Sequence, residues 1–303
     1  MYEKYTGPYV KMLFYGPYGI GKTHLIKTGV GDPRIFPMLM LNFEGGALSI
    51  ASKIHKLDTI RKYFRQCKEE NKPKRAYINE FREYLNQSEN ASIDFVDVLK
   101  VETWDDLEDI LDILADGSSR YASIAIDSLT EINYLVLREI TEEAGKVNPS
   151  KHDGELSQLQ DYGRAATRLR RVVRTFRDLP MNCIFTALPQ ESKDETYGTT
   201  ETRPSLVGKL SEEVPAMFDI TGYMQSPKPR AGGSNSEEES MRTIYFQPTN
   251  KFRAKDRSEG GKLGDSMTFT KEDPTLVTIF NKLEIPMPPK IAVKASKTKA
   301  AVE

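Results

Sequence analysis

The stretch GPYGIGKT at residues 16–23 constrains the fold of this chain more than any other feature. It fits the pattern G-x-x-x-x-G-K-[ST], and it lies between an apolar run at residues 10–15 and a run with helical character that begins at Thr23. A strand, a glycine-rich loop and a helix in this order form a cradle whose backbone N–H groups and helix N-terminus face a bound phosphate. These flanks disfavour the alternative, a chance match in a glycine-containing turn.

Two side chains of this loop carry the predicted chemistry. Lys22 is expected to reach the β- and γ-phosphates of a nucleotide, and the Thr23 hydroxyl is expected to bind Mg²⁺. The other residues predicted to contact the nucleotide are Gly16, Pro17, Tyr18, Gly19, Ile20, Gly21 and His24. The sequence therefore predicts ATP and Mg²⁺ as cofactors.

The composition excludes several classes of protein. Of 303 residues, 38% are hydrophobic and 29% charged, which is enough for one large domain or two small ones. The net charge of −1 gives no overall attraction to nucleic acid, so any such site must be local. No apolar run approaches the roughly 18 residues that span a bilayer, so no membrane partner is expected. Two cysteines, three scattered histidines and a start without a signal-peptide pattern predict a cytoplasmic protein without disulfides or a catalytic zinc.

Apolar runs alternate with helical patterns along the chain, which predicts an α/β fold with a mostly parallel twisted sheet flanked by helices. Strands are predicted near residues 10–15, 37–43, 94–102, 121–127, 182–188, 218–224 and 241–247, the last at an edge of the sheet. Helices are predicted after the phosphate loop, after an N-cap at Thr103, and at residues 129–143, 155–178 and 273–283. The 155–178 helix has a predicted apolar stripe of Leu159, Tyr162, Ala166, Leu169, Val173 and Phe176.

We expect one ATPase-type domain at residues 1–285 and a basic flexible tail at residues 286–303. Residues 57–92 place apolar side chains at helical spacing among dense charges, which predicts a helical insert beside the sheet. Residues 226–240 are rich in Pro, Gly, Ser and Glu, which predicts a mobile loop.

Two carboxylates end predicted strands near the phosphate loop. Asp127 follows the strand IAI, where it can hold hydrated Mg²⁺; the alternative is an aspartate that caps the next helix. Glu44 ends the strand after the first helix, where it can orient the water that attacks the γ-phosphate; the alternative is a solvated loop residue. Thr186 and Gln190, at the end of a third strand, are candidates for sensing the γ-phosphate, and strand-end polarity explains them equally well.

The order of these motifs resembles the RecA-like P-loop ATPase core, and most closely the phage-encoded AAA-type ATPases linked to single-strand DNA annealing and recombination. The segments that carry the resemblance are GPYGIGKT, LNFEGG, SIAIDSLTEI, IFTALPQE and RPSLVGKLSEEVPAMFD, within residues 8–285. The resemblance implies that Lys22, Glu44, Asp127 and Gln190 are catalytic. Glu44 would activate water, Asp127 would assist Mg²⁺, and Gln190 would couple the γ-phosphate to a DNA-binding loop.

The resemblance also implies partners. Single-stranded DNA is the expected ligand, and a homo-oligomer is expected to place the nucleotide near subunit interfaces. Lys251 and Arg253 would reach the nucleotide of the next subunit, unless they belong to a solvated basic turn. A single-strand DNA-binding or replication protein is a further possible partner, and a phage-encoded chain would work in the host cytoplasm.

Three basic segments are candidates for contact with DNA. Two are predicted loops, residues 145–154 and 191–203, for which a plain surface loop is the alternative. The third is the set of arginines that flank the stripe of the 155–178 helix, which a solvated helix face explains better than a wall for a phosphate backbone. Those arginines are Arg164, Arg168, Arg170, Arg171, Arg174 and Arg177.

Two other functions fit the sequence. A nucleotide or small-molecule kinase would transfer the γ-phosphate to an acceptor, with the arginine-rich helix as a lid. A nucleotide-gated scaffold would use the charged insert to bind a replication partner. Glu44 favours hydrolysis over transfer.

Overall fold

The computed structural model describes residues 9–44, 48–86, 93–115, 120–150, 154–193, 198, 200–226 and 241–287. The first half holds β1 (Lys11–Tyr15), α1 (Lys22–Lys27), β2 (Met38–Asn42), a 3₁₀ helix (Leu48–Lys53), β3 (Ile54–Lys56), α2 (Asp58–Glu69), α3 (Lys74–Asn86), β4 (Val96–Lys100) and α4 (Trp104–Leu114). The second half holds β5 (Ser123–Asp127), α5 (Leu129–Val147), α6 (Leu159–Asp178), β6 (Asn182–Ala187), β7 (Pro189–Lys193), β8 (Thr200–Pro204), α7 (Leu210–Ala216), β9 (Ile220–Gln225), β10 (Arg242–Tyr245), β11 (Lys255–Asp256), β12 (Ser266–Phe269) and α8 (Thr275–Lys282).

One large sheet organises these elements. Its strand order is β12-β10-β9-β1-β6-β5-β2-β4-β3, and β11 pairs with β9. The strands from β9 to β3 in this order are parallel, whereas β10, β11 and β12 pair antiparallel with their neighbours. The predicted fold class, a mostly parallel sheet flanked by helices, is therefore confirmed.

The register brings four strand ends to one edge of the sheet. Tyr15 of β1 pairs with Ala187 of β6, and Asn42 of β2 pairs with Asp127 of β5. Because parallel strands end at the same edge, the residues that follow β1, β2, β5 and β6 lie together. We call this the carboxyl edge.

Both faces of the sheet are covered, which is why its central strands are buried along their whole length and mostly apolar. Leu13 and Tyr15 point to a core shared with α2 to α7, whereas Met12 and Phe14 point to a core shared with α1 and α8. Because successive side chains of a strand point to opposite faces, one strand contributes to both cores.

Within the described part of the chain, none of the helices has the length and apolar character of a membrane span.

One predicted helix cap is confirmed, and two predicted helix boundaries differ from the structure by four residues. The Thr103 hydroxyl accepts a hydrogen bond from the Asp106 N–H at 3.1 Å, which confirms the predicted N-cap of α4. α5 continues to Val147, four residues beyond its predicted end, and α6 begins at Leu159, four residues later than predicted. The Asp161 carboxylate accepts from the Gln158 N–H at 2.8 Å, and this contact fixes where α6 starts.

Three sequence interpretations were wrong. The predicted edge strand at residues 241–247 is β10, which lies between β9 and the unpredicted β12. The predicted loop at residues 191–203 belongs largely to the antiparallel hairpin of β7 and β8. The stripe of α6 does not include Leu159 and Tyr162, which are 89% and 44% exposed.

The charged insert is helical, as predicted, but its helices are part of the main core. Cys67 of α2 and Tyr77, Ile78 and Phe81 of α3 are buried in the same core as α4. Residues 87–92 of the insert lie outside the described residues, as do residues 227–240 and most of the predicted tail, residues 288–303. The domain boundaries at residues 1–285 stay a prediction.

The buried carboxylate of Asp109 in α4 forms ion pairs with two lysines of the insert. Asp109 is 4% exposed, and its two oxygens pair with Lys68 Nζ at 2.9 Å and Lys74 Nζ at 3.1 Å. The Tyr77 hydroxyl lies 3.4 Å from Asp109 Oδ2. One carboxylate therefore joins α2, α3 and α4.

We expect Asp109→Ala to lower the free energy of unfolding by about 2 kcal/mol, because it removes the buried carboxylate that pairs with Lys68 and Lys74, although Lys74 keeps its ion pair with Asp112. Urea unfolding would measure the change. The control is Glu108→Ala on the exposed side of the same helix, which should cost less than about 0.5 kcal/mol. Equal effects of the two substitutions would contradict this role of Asp109.

Candidate functional site

The loop between β1 and α1 has the backbone of a phosphate cradle. Gly21 has φ of 100°, a left-handed conformation that glycine adopts without strain, and it directly precedes α1. A Cβ at Gly16 would lie 2.4 Å from the Met224 carbonyl oxygen, so only glycine fits against β9 there. Gly21 thus allows the turn into α1, and Gly16 allows the close approach of the loop to β9.

Lys22, the first residue of α1, is folded back onto this loop. Its Nζ donates hydrogen bonds to the Gly16 carbonyl at 2.8 Å and the Pro17 carbonyl at 3.0 Å. Burial lowers the pKa of Lys22, while the nearby carboxylates of Glu44 and Asp127 act in the opposite direction. The loop therefore holds a buried ammonium at its centre.

Asp127 connects three elements at the carboxyl edge. It is 1% exposed, and its Oδ2 accepts a hydrogen bond from the Thr23 hydroxyl at 2.7 Å. Its Oδ1 accepts from the Thr186 hydroxyl at the end of β6. Burial raises the pKa of Asp127, Glu44 also raises it, and the two hydroxyl donors lower it. The structure thus brings Thr23, Asp127 and Thr186 together.

Glu44 lies beside this group and is exposed. It follows β2, and its N–H donates to Asn42 Oδ1 at 3.1 Å. Sequence reasoning missed a second carboxylate here, Glu131 in the first turn of α5. Burial and the charge of Glu44 raise the pKa of Glu131. The S-x-x-E spacing of Ser128 and Glu131 could have pointed to it, and the Glu131 N–H donates to Ser128 Oγ at 3.4 Å.

Two predicted residues have other contacts. Gln190 lies in β7, and its Nε2 donates to the Leu206 carbonyl at 3.4 Å. His24 Nε2 donates to the Lys271 carbonyl at 2.8 Å. Tyr18, at the tip of the loop, is 90% exposed, whereas Ile20 is buried. The sensing role of Gln190 stays a prediction, and Thr186 is the candidate that contacts Asp127.

The segment with Lys251 and Arg253 is tied to both the hairpin and the phosphate-loop strand. The Thr202 N–H donates to the Lys251 carbonyl at 2.7 Å, and the Arg253 N–H donates to the Thr202 carbonyl at 3.2 Å. The hydroxyl of Tyr15, which directly precedes Gly16, donates to the carbonyls of Thr202 and Arg253.

Arg203 and Arg253 both form ion pairs with Glu201. Arg253 Nε pairs with Glu201 Oε1 at 2.7 Å, and Arg203 Nε pairs with Glu201 Oε2 at 2.6 Å. The Arg253 side chain is nevertheless 51% exposed, whereas that of Glu201 is 14% exposed. Arg253 is therefore held at the carboxyl edge with part of its guanidinium open to solvent.

These residues fit a magnesium-bound triphosphate. The Thr23 hydroxyl and Asp127 carboxylate are hard oxygen donors, which Mg²⁺ prefers, and they already lie within hydrogen-bond distance of each other. The buried Lys22 ammonium donates to two backbone carbonyl oxygens, which phosphate oxygens can replace as acceptors. The site therefore offers oxygen donors of the kind that suit Mg²⁺ beside a cation of the kind that suits a phosphate.

A family model described as an AAA domain matches residues 9–258. The chain belongs to the AAA domain family. The matched range holds all of the predicted site residues of this AAA domain, from Gly16 to Arg253. No curated protein matches the sequence. Among solved structures, the crystal structure of the RadB recombinase is similar at 14% identity and a TM-score of 0.42, over 87% of this chain and 88% of that chain. The family and the phosphate loop together support a nucleotide-hydrolysing role for this AAA domain.

We expect Asp127→Asn to stabilise the nucleotide-free protein by about 1 kcal/mol, because it removes a charge that burial disfavours. Since the folded-state pKa is raised, the charged form costs stability at neutral pH. The gain should therefore be full at neutral pH and vanish as the pH falls below the ordinary aspartate pKa, where both folded and unfolded chains hold the proton.

Denaturant unfolding at a series of pH values would measure this gain. Asp178→Asn, at a carboxylate that is 63% exposed, is the matched control and should show no such gain. A lower stability of Asp127→Asn at neutral pH would contradict the prediction.

Proposed function

We propose that this protein is an ATPase that acts on single-stranded DNA. The contact between Thr23 and Asp127 carries the first part of the proposal, because it joins the phosphate loop to a buried carboxylate at the carboxyl edge. The DNA part rests on the resemblance to RecA-like and phage-encoded recombination ATPases. We propose a role in recombination, replication or repair.

Each residue has a defined task in this proposal. Lys22 exchanges its carbonyl partners for the β- and γ-phosphate oxygens, and the loop amides bind the same phosphates. Thr23 and Asp127 would hold Mg²⁺, which neutralises phosphate charge when it is bound. Thr186 keeps the Asp127 carboxylate oriented by its hydrogen bond. The buried site thus positions charge before the substrate arrives.

Glu44 is the proposed water-activating residue. It is exposed, so water can reach its carboxylate, and its charge acts on both Lys22 and Asp127. A carboxylate at this position can accept a hydrogen bond from the attacking water and draw its proton. Glu131, whose pKa is raised, is the alternative carboxylate for the same task.

The position of α6 disfavours the kinase alternative. A lid must move over the acceptor, but Ala165, Leu169 and Val173 of α6 are buried in the main core. Arg170 is also paired with Glu213 of α7 at 2.8 Å. The helix that could have served as an arginine-rich lid is therefore part of the rigid core.

The decisive experiment is an ATPase titration with single-stranded DNA, run on the native chain, Lys22→Ala and Glu44→Gln. Lys22→Ala should weaken nucleotide binding by at least about 100-fold, because the triphosphate loses its fixed cation. Glu44→Gln should bind nucleotide normally and lose at least about 100-fold in turnover. Fluorescent nucleotide binding and phosphate release separate the two effects.

Glu131→Gln is the matched control for Glu44→Gln. It should retain turnover within a few-fold, and a larger loss than in Glu44→Gln would transfer the water-activating role to Glu131. Stimulation by a small acceptor instead of DNA would favour a kinase. A turnover that neither addition changes would favour the nucleotide-gated scaffold, whose partner would be sought on the insert.

We also propose a homo-oligomer in which Arg253, and Lys251 beside it, reach the nucleotide of the neighbouring subunit. The support is the Arg253 side chain, which is 51% exposed at the carboxyl edge although its Nε pairs with Glu201. Such a charge stabilises the phosphoryl-transfer transition state as an arginine finger does.

Arg253→Ala should therefore lose at least about tenfold in turnover and keep nucleotide binding. Mixing equal amounts of Arg253→Ala and Glu44→Gln subunits should restore activity toward about a quarter of the native value, because a quarter of the shared sites then have both groups. Phosphate release measures this recovery. Arg65→Ala, on the insert, is the control. Inactive mixtures, or full turnover of Arg253→Ala alone, would exclude action between subunits.

A further inference from the structure

The exposed face of α6 carries arginines of two kinds. Arg168 and Arg170 form ion pairs with residues of neighbouring helices. Arg168 pairs with Glu143 at 3.0 Å, and its guanidinium lies 5.2 Å from the centre of the Trp104 ring. Arg170 pairs with Glu213. Arg171 and Arg174 are exposed, and within the described part of the chain neither has an ion pair. Arg164, 54% exposed, lies 4.0 Å from Glu143, at the limit of an ion pair.

Arg171 stands where three surface cavities meet. One of about 380 Å³ lies between α6 and α4, one of about 560 Å³ lies between α6 and α5, and one of about 410 Å³ follows α6 toward its end. Arg164 and Arg168 line the second cavity with Arg171, and Arg174 lines the third. The arginines therefore border one continuous depression along the helix.

We propose that this depression, the α6 groove, binds the phosphate backbone of a nucleic acid strand. Arg164, Arg171 and Arg174 lie at positions i, i+7 and i+10, which share one side of a helix and span about 15 Å at 1.5 Å per residue. Guanidinium groups bind phosphate oxygens with paired N–H donors.

Two features of the middle cavity suit the same ligand. Carboxylates line the other two cavities: Glu108 and Asp112, the latter paired with Lys74, and Asp178, which is paired with Arg177. Gln160 lines the middle cavity and offers an amide donor of the kind that contacts phosphates. A Cβ at Gly163 would meet no atom within 4 Å, so a strand can approach the helix backbone there. The groove thus combines charge, donors and open space.

An acidic protein fits the groove less well. Protein interfaces depend on apolar anchors at their centre. The larger apolar side chains that line the groove offer little surface: among the described residues, Ile140 of the middle cavity and Trp104 and Val172 of the first cavity are buried, and Leu111 of the first cavity is half-buried. A ligand that is recognised by charge alone, without apolar contacts, is a polyanion backbone.

The groove also has a suitable position. α6 leads into β6, so its first turn lies toward the carboxyl edge and its last turn toward the opposite edge. A strand in the groove would run from the neighbourhood of the nucleotide along the helical face of the sheet. This inference rests on the proposed function, because it assigns a contact surface to the proposed DNA ligand.

The experiment compares the native chain with Arg164→Gln/Arg171→Gln/Arg174→Gln. These side chains are exposed, so the variant should fold normally, which its unfolding midpoint would verify. The matched control, Arg65→Gln/Arg75→Gln/Lys282→Gln, removes the same charge from the insert and α8. Fluorescence anisotropy of a labelled oligothymidine over a range of salt concentrations measures affinity and its salt dependence. Polyglutamate serves as an acidic polypeptide competitor.

The α6 variant should lose at least about tenfold in affinity, and the slope of log K against log salt should fall by about 2, since each lost phosphate contact contributes about 0.7 for a single strand. Its basal ATPase should equal that of the control. Native-like affinity and slope in the α6 variant would overturn the inference and leave the proposed function standing. A loss of polyglutamate binding with unchanged DNA binding would also overturn it, in favour of an acidic protein. Failure of the native chain to bind DNA would overturn both proposals.

Discussion

The two hydrogen bonds that Asp127 accepts from Thr23 and Thr186 hold the site together. They connect the helix that follows the phosphate loop with the ends of two neighbouring strands, and they do so around a carboxylate that is almost fully buried. A buried carboxylate is stable only when its oxygens have donors, so the two hydroxyls compensate for its lost hydration. Because β1, β6, β5 and β2 are parallel and adjacent, their ends could supply these partners from residues far apart in sequence. Sheet topology therefore creates the site, and the hydroxyl contacts fix its geometry.

Much of the fold followed from hydrophobic pattern alone. β2, β5 and β6 are continuous apolar runs, and strands covered on both faces must be so. The hairpin of β7 and β8 could not be found in this way, because its residues, PQESK and TETRP, are polar and pair through the backbone while their side chains stay half-exposed. β12 was missed for a similar reason: it has four residues and only Phe269 is buried. β10 was consequently given an edge position that it does not have.

The site was predictable in part. Motif spacing indicated Lys22, Thr23, Glu44 and Asp127, and the structure places all four at the carboxyl edge. The contact of Thr186 with Asp127 required the knowledge that β5 and β6 are neighbours, which sequence order alone does not give. The partners of Arg253 also depend on tertiary structure, because Glu201 and Tyr15 lie 52 and 238 residues away. The sequence thus indicated which residues gather at the carboxyl edge, whereas the individual hydrogen bonds and ion pairs between distant residues required the fold.

The position of Lys22 has a consequence for the energetics of ligand capture. Its ammonium group donates to two carbonyl oxygens of its own loop, which offset part of the cost of burial, while the lowered pKa of Lys22 shows that burial still disfavours the charged form. When an anion binds, its oxygens would replace the two loop carbonyl oxygens as hydrogen-bond acceptors of the Lys22 ammonium group. The net gain from this lysine is then the difference between a charged and a neutral acceptor, not the full strength of an ionic hydrogen bond. Selectivity for highly charged ligands over weakly charged ones follows directly, since only the former outcompete the loop itself.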